Sequence, residues 1–232
     1  MNSLFWSSIS QRYGRPGLWG VAALLLSLMS GTLSIADSTG ILLSPSAIEK
    51  VGTRYGAEAV KRVTAWQKLM NTAQAEAEKN KLKLVNDFFN RVRYVSDWKH
   101  WKQEDYWATP VEMLGTFGGD CEDYSISKYL TLRQLGVSEE KLRITYVKAI
   151  TLNEAHMVLS YYPTPDAEPL ILDNLNKKLL KASLRTDLVP IYSFNGSGLW
   201  VAKGPGGGKK AGSSSRLKRW NKLRDKLKRD GG

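Results

Sequence analysis

The stretch Gly118-Gly119-Asp120-Cys121-Glu122-Asp123-Tyr124 holds the only cysteine in the chain. A glycine pair frees the backbone on one side, and three carboxylates crowd the thiol. Tyr124 to Leu135 then follows a helical pattern closed by Gly136. The thiol therefore sits at or near the first turn of a helix. Unpaired N–H groups and the helix dipole there favour negative charge and lower a thiol pKa. The neighbouring acids push the other way, and this conflict is the most informative feature of the chain.

Upstream the pattern is helical. Ser44-Pro45 reads as an N-cap with proline at the first helical position, opening a helix over 47–54. Gly56 interrupts it. A second helix runs from Val60 to Ala77, and Leu82, Val85, Phe88, Phe89 and Val92 mark a third amphipathic one. Trp98, His100, Trp101, Tyr106 and Trp107 then form an aromatic loop, read either as packed over the core by its rings or as the wall of a substrate groove. Thr109-Pro110, with Glu112 three residues after the threonine, is a capping box that restarts a helix.

Downstream the period changes to two. Leu142–Ile150, His156–Tyr162 and Pro169–Asp173 read as strands, with shorter candidates at Pro190–Phe194 and Leu199–Ala202. Helices followed by a run of strands with short connections predict an α+β fold, its helices packed on an antiparallel sheet.

The formal net charge of +12 is unevenly spread. From Lys203 onward the chain carries eleven Lys or Arg against two Asp; before Asp37 it has two Arg and no acid. The body between is nearly neutral, so the high pI says nothing of its partners. One cysteine excludes an internal disulfide and a multi-cysteine metal site. Arg12 and Arg15 precede an uncharged run with an apolar centre at Val21–Met29 and a small-x-small end at Ser34-Ile35-Ala36. That is the layout of a secretory signal peptide over 1–36, with an uncleaved membrane anchor as its rival. The body spans 37–203. Residues 204–232 read as a Gly/Ser linker and a basic amphipathic tail. Leu217, Trp220, Leu223 and Leu227 form a stripe suited to anionic lipid or an acidic partner. An exported protein makes nucleic acid an unsuitable partner.

A thiol nucleophile needs a base and a group to orient that base. Two histidines are present. His156 opens a strand, and Asp173 ends the next one, so neighbouring antiparallel strands bring the two side by side. Cys121, His156 and Asp173 are the candidate catalytic set. A zinc site from Cys121, His100 and His156 matches no common ligand spacing.

The run Tyr106-Trp107-Ala108-Thr109-Pro110, then Gly119-Asp120-Cys121-Glu122-Asp123, then His156 and Asp173, resembles the bacterial transglutaminase-like cysteine proteinases over 44–200. The resemblance implies a papain/transglutaminase-like core in which Cys121 is the nucleophile, His156 the base and Asp173 the orienter. It implies Ca²⁺ bound by Asp120 and Glu122, with Asp123 next in line. It also implies a periplasmic location, a large surface adhesin as substrate, and an inner-membrane cyclic di-GMP receptor as sequestering partner. A bound hard cation resolves the conflict around the thiol, because clustered carboxylates suit Ca²⁺. Acyl transfer to an amine, or calcium-dependent binding without catalysis, are the competing functions.

Overall fold

The computed structural model describes residues 42–202 and 208–230; the expected signal segment lies outside them. Its helices are α1 (Pro45–Tyr55), α2 (Ala57–Ala73), α3 (Glu78–Phe89), α4 (Asp97–Trp101), α5 (Pro110–Thr116), α6 (Cys121–Gln134) and α7 (Lys218–Asp230). Its strands are β1 (Arg93–Tyr94), β2 (Gly118–Gly119), β3 (Leu142–Ala149), β4 (Glu154–Tyr161), β5 (Leu170–Leu172), β6 (Leu180–Lys181), β7 (Leu188–Phe194), β8 (Leu199–Val201) and β9 (Lys209–Gly212). Among these no helix is long and apolar enough to cross a membrane.

The caps read from the sequence form as expected. Ser44 Oγ accepts from Ala47 N, and Gly56 ends α1 in a positive-φ conformation. Thr109 and Glu112 close the capping box of α5. The second helix stops at Ala73, short of the expected Ala77, and α3 begins at Glu78.

Helix α6 is the centre of the molecule. Asp123 through Leu132 are all buried, because α6 lies between the other helices and the sheet. Trp66 on α2 is fully buried and donates from Nε1 to Thr131 Oγ1 at 2.9 Å, which satisfies both polar groups inside the core. On the other side, Met157, Leu159 and Tyr161 of β4, with Leu142 and Ile144 of β3, belong to the same core. Their alternation is the period-two pattern of the sequence.

The sheet is seven-stranded and antiparallel, in the order β6-β5-β4-β3-β7-β8-β9. A separate two-residue parallel pairing, Arg93 with Gly118 and Tyr94 with Gly119, ties the segment after α3 to the approach to α6.

The expected linker and tail need correction. Lys209–Gly212, inside the stretch read as flexible, pairs with β8 as the edge strand β9. Gly208 makes the turn before it: its φ is +74°, and a Cβ there would lie 2.2 Å from Val201 O. The amphipathic helix forms as α7, but its stripe faces inward. Trp220, Leu223 and Leu227 are buried in the main core, and Trp220 packs edge-on to Tyr129 and Phe194. The surface offered to lipid in the sequence reading is thus already covered by the protein's own body.

Candidate active site

The site is built where α6 begins. Asp120 is its N-cap in extended conformation and Cys121 its first residue. Asp123, three residues after the cap, reaches back: its Oδ2 accepts from Asp120 N at 3.3 Å, and its Oδ1 accepts from Ala108 N at 2.7 Å. Both oxygens of this fully buried carboxylate thus hold backbone. Gly119 leaves room for it, since a Cβ there would approach Asp123 Oδ2 to 2.7 Å. The glycine before the thiol is therefore a packing requirement of the helix start.

Ser125, one turn into α6, fixes the helix against β4. Its Oγ lies 2.9 Å from Cys121 O and 3.0 Å from Met157 O. This places the thiol beside the residue that follows His156, and the Met157 backbone N–H acts on the sulfur. In β4 the imidazole of His156 is buried, and its Nε2 lies 2.7 Å from Asp173 Oδ1. Asp173, just past β5, also accepts from Leu175 N at 3.1 Å and, through Oδ2, from Arg185 Nη2 at 2.7 Å. Burial alone would raise the Asp173 carboxyl. The hydrogen bond and charge of His156, with the Arg185 bond, outweigh that and hold it well below the usual carboxylate range. The expected pairing of His156 with Asp173 is present. Arg185, which sequence spacing did not reveal, completes it.

The thiol has the opposite environment. Its Sγ lies 3.0 Å from Glu122 Oε2. Burial, then the charges of Glu122 and Asp120, push the Cys121 pKa well up, and the Met157 N–H only partly offsets them. Asp120 is itself pushed up to about 10 by burial and by Glu122 and Asp123. So many acids in one place favour the binding of a positive charge among them.

The carboxylates converge further than the sequence indicated. Asp120, Cys121 and Glu122 offer ligand atoms within 4.8 Å of one another, as do Asp97, Asp120 and Asp123, and also Asp97, Asp105 and Glu122. Asp97 opens α4 and is 2% exposed. Its Oδ2 accepts from Tyr106 N at 2.5 Å, while its Oδ1 and the Oδ1 of Asp120 are buried without a partner among the described residues. Buried oxygens left unpaired beside other carboxylates fit a hard cation such as Ca²⁺. Sequence reasoning missed Asp97 and Asp105 because they lie in the aromatic loop, more than a dozen residues from the thiol.

That loop is mostly packed. Trp107 stacks on Phe194, Trp101 lies 4.6 Å from the Tyr106 ring, and His100 Nε2 is 2.8 Å from Thr116 Oγ1. Only Trp98 among its tryptophans is largely exposed. His100 is therefore a packing group, and no histidine enters the metal-sized clusters among the described residues.

A solved structure of Legionella pneumophila LapG is similar, with 47% identity and a TM-score of 0.70, covering 80% of this chain and 98% of that one. An EGTA-treated LapG structure from the same organism matches with 47% identity and a TM-score of 0.71, over 80% and 98% of the two chains. A calcium-bound one matches with 46% identity and a TM-score of 0.69, over 80% and 99%. A search of curated proteins gave no match. The fold is thus transglutaminase-like. Residues 42–201 match the family model described as bacterial transglutaminase-like cysteine proteinase. With a buried His–Asp pair beside a thiol at a helix start, the chain belongs to the bacterial transglutaminase-like cysteine proteinases.

Proposed function

We propose that the protein is a calcium-dependent, periplasmic cysteine endopeptidase acting through Cys121, His156 and Asp173. The observation that carries the triad is the 2.7 Å bond between His156 Nε2 and Asp173 Oδ1, with Cys121 held next to β4. An ionised carboxylate only accepts, so Nε2 carries the proton and Nδ1 is left as the base. His156 Nδ1 takes the thiol proton, and Cys121 Sγ attacks the scissile carbonyl. The imidazolium then protonates the leaving amine, giving an acyl-enzyme. Water, deprotonated by the same nitrogen, releases the acid and restores the thiol. Asp173, pinned by Arg185, fixes the imidazole orientation and stabilises its charged form.

Calcium is supported by the carboxylate cluster and by its presence in the similar LapG structure. Asp120 and Glu122 are proposed ligands, and Asp97 joins them through its unpaired oxygen. Asp123, with both oxygens on backbone N–H groups, has the weakest claim of the four. When bound, the ion supplies positive charge that offsets the acids around the sulfur.

The substrate is proposed to be the N-terminal region of a large surface adhesin, whose cleavage releases the cell from a biofilm. Control is proposed to rest with an inner-membrane cyclic di-GMP receptor that sequesters the proteinase. Both readings are supported by the motif resemblance and by the likeness to LapG. The test is incubation of the purified protein with such an adhesin region, with calcium, with chelator, and with Cys121→Ala. Cleavage only in the calcium arm of the unaltered protein is expected. Cleavage by Cys121→Ala would overturn the triad, and full activity in chelator would overturn the calcium requirement.

A further inference from the structure

Helix α6 carries a lysine where a core helix has no ordinary use for one. Lys128 lies about two turns beyond Cys121 on the same face and is fully buried. Burial drives its pKa down to about 7 against the raising effect of Asp173 and Asp87. An ammonium is costly to bury, and an apolar residue of similar volume is usually at least as stable there. The residue therefore calls for a reason other than stability.

Its contacts supply one. Lys128 Nζ donates to Asn90 Oδ1 at 2.8 Å, and Asn90 Nδ2 donates to Asp173 O at 2.8 Å. Lysine has only donors and a carbonyl only accepts, so the Asn90 amide can sit one way round. Asn90 caps the end of α3, and Asn86, one turn earlier, donates from Nδ2 to Lys177 O at 2.8 Å. Helix α3 thus holds the 173–177 loop at two points, and Lys128 locks the upper one. The Lys128 side chain also lies over the Tyr124 ring, 5.7 Å from its centroid.

We propose that Lys128 is a positioning residue for the reaction: through Asn90 it locks the Asp173 backbone relative to the helix that carries Cys121. Two bonds in series run from the nucleophile's helix, through Asn90 at the end of α3, to the orienter's loop, so the two halves of the triad share one buried tether. Without it, Asn90 can turn, the Asp173 main chain loses its donor, and the imidazole held by the Asp173 side chain drifts from the thiol. This inference rests on the triad reading above.

Lys128→Met is the direct test, read by thermal unfolding, by kinetics, and by the pH dependence of Cys121 alkylation with iodoacetamide. The expected variant unfolds at the same or a higher temperature. Its kcat falls on the order of 100-fold with KM little changed, the scale of a small misplacement at the reacting groups. Its alkylation rate at neutral pH falls, because fewer thiols pair with His156. A merely structural lysine would leave the alkylation profile in place, and that result together with wild-type kcat would overturn the proposal. Should Lys128→Met not fold, Asn90→Asp keeps a partner for the lysine but removes the donor to Asp173 O. The same losses are expected of it, and wild-type behaviour would overturn the proposal equally. Alkylation needs no protein substrate. A variant effect on alkylation, with no adhesin cleaved by the unaltered protein, would sustain the tether while removing the adhesin reading.

Discussion

At the scale of single residues, two carboxylates of similar burial behave in opposite ways. Asp173 faces His156 and Arg185, and Asp120 faces Glu122 and Asp123. For Asp173 the folded pKa lies below the unfolded value, so its stabilising contribution is complete above the unfolded carboxyl pKa of about 3.9 and fades as pH falls below it. The stability gap between the unaltered protein and Asp173→Asn, measured by urea unfolding, is therefore expected to stay level above about pH 5 and to narrow in stronger acid. The same substitution is expected to lower kcat by roughly 10³–10⁴-fold, the cost of a misoriented imidazole. For Asp97, whose Oδ1 has no hydrogen-bond partner among the described residues, Asp97→Asn is expected to weaken calcium binding at least tenfold in a calorimetric titration. An unchanged affinity would remove it from the ligand set. Cys121, His156 and Asp173 were legible because each is of a rare or reactive type placed at an element's end. Asp97, Arg185 and Lys128 were not legible. Their roles come from partners on other elements, nine to thirty-eight residues away, and single positions in a sequence carry no trace of such pairings.

At the scale of elements, α7 changes most between reading and structure. A stripe of Leu and Trp among lysines looks alike whether it faces lipid or its own core, since periodicity gives the face but not what covers it. The discriminating residue was Lys226, a lysine on the apolar side. It donates to Trp107 O and, at 2.9 Å, to Glu112 Oε2. Asp230 accepts from Thr109 Oγ1 at 2.5 Å, and Arg219 pairs with Asp105 at 2.7 Å. Three side chains of α7 therefore hold the loop that carries Asp105 and leads into α5. Asp230→Ala leaves the Thr109 hydroxyl without its acceptor and is expected to cost about 1 kcal/mol in chemical unfolding. Deleting residues 209–230 also takes Trp220 and Leu223 out of the core and uncovers Tyr129 and Phe194, and is expected to cost several kcal/mol and to lower calcium affinity in the same titration. Helices α1 and α5 were legible because their caps are local, whereas α4, inside the stretch read as an aromatic loop, was not. The strand β9 was missed because its pairing partner, not its Gly- and Lys-rich composition, makes it a strand.

At the scale of the molecule, the basic charge is displayed on one outer surface. Arg216, Lys218, Arg219, Lys222, Arg224, Lys228 and Arg229 are exposed while the apolar side of α7 is turned in. Any attachment to anionic lipid through this surface is electrostatic and shallow. Flotation with anionic vesicles is expected at low salt and to fail at about 1 M, where the Debye length shrinks to roughly 3 Å. Hydrogen exchange in α7 is expected not to rise on binding; a rise would mean that the helix leaves the body to insert.

The docking of α7 also sets an order of events. The loop bearing Asp105 is held by residues synthesised more than a hundred positions later, up to Asp230. A chain still emerging from the ribosome has made its nucleophile and its base but not the clamp on its acidic loop. The clamp on the acidic loop therefore closes only once the chain has been made through residue 230 and α7 has docked.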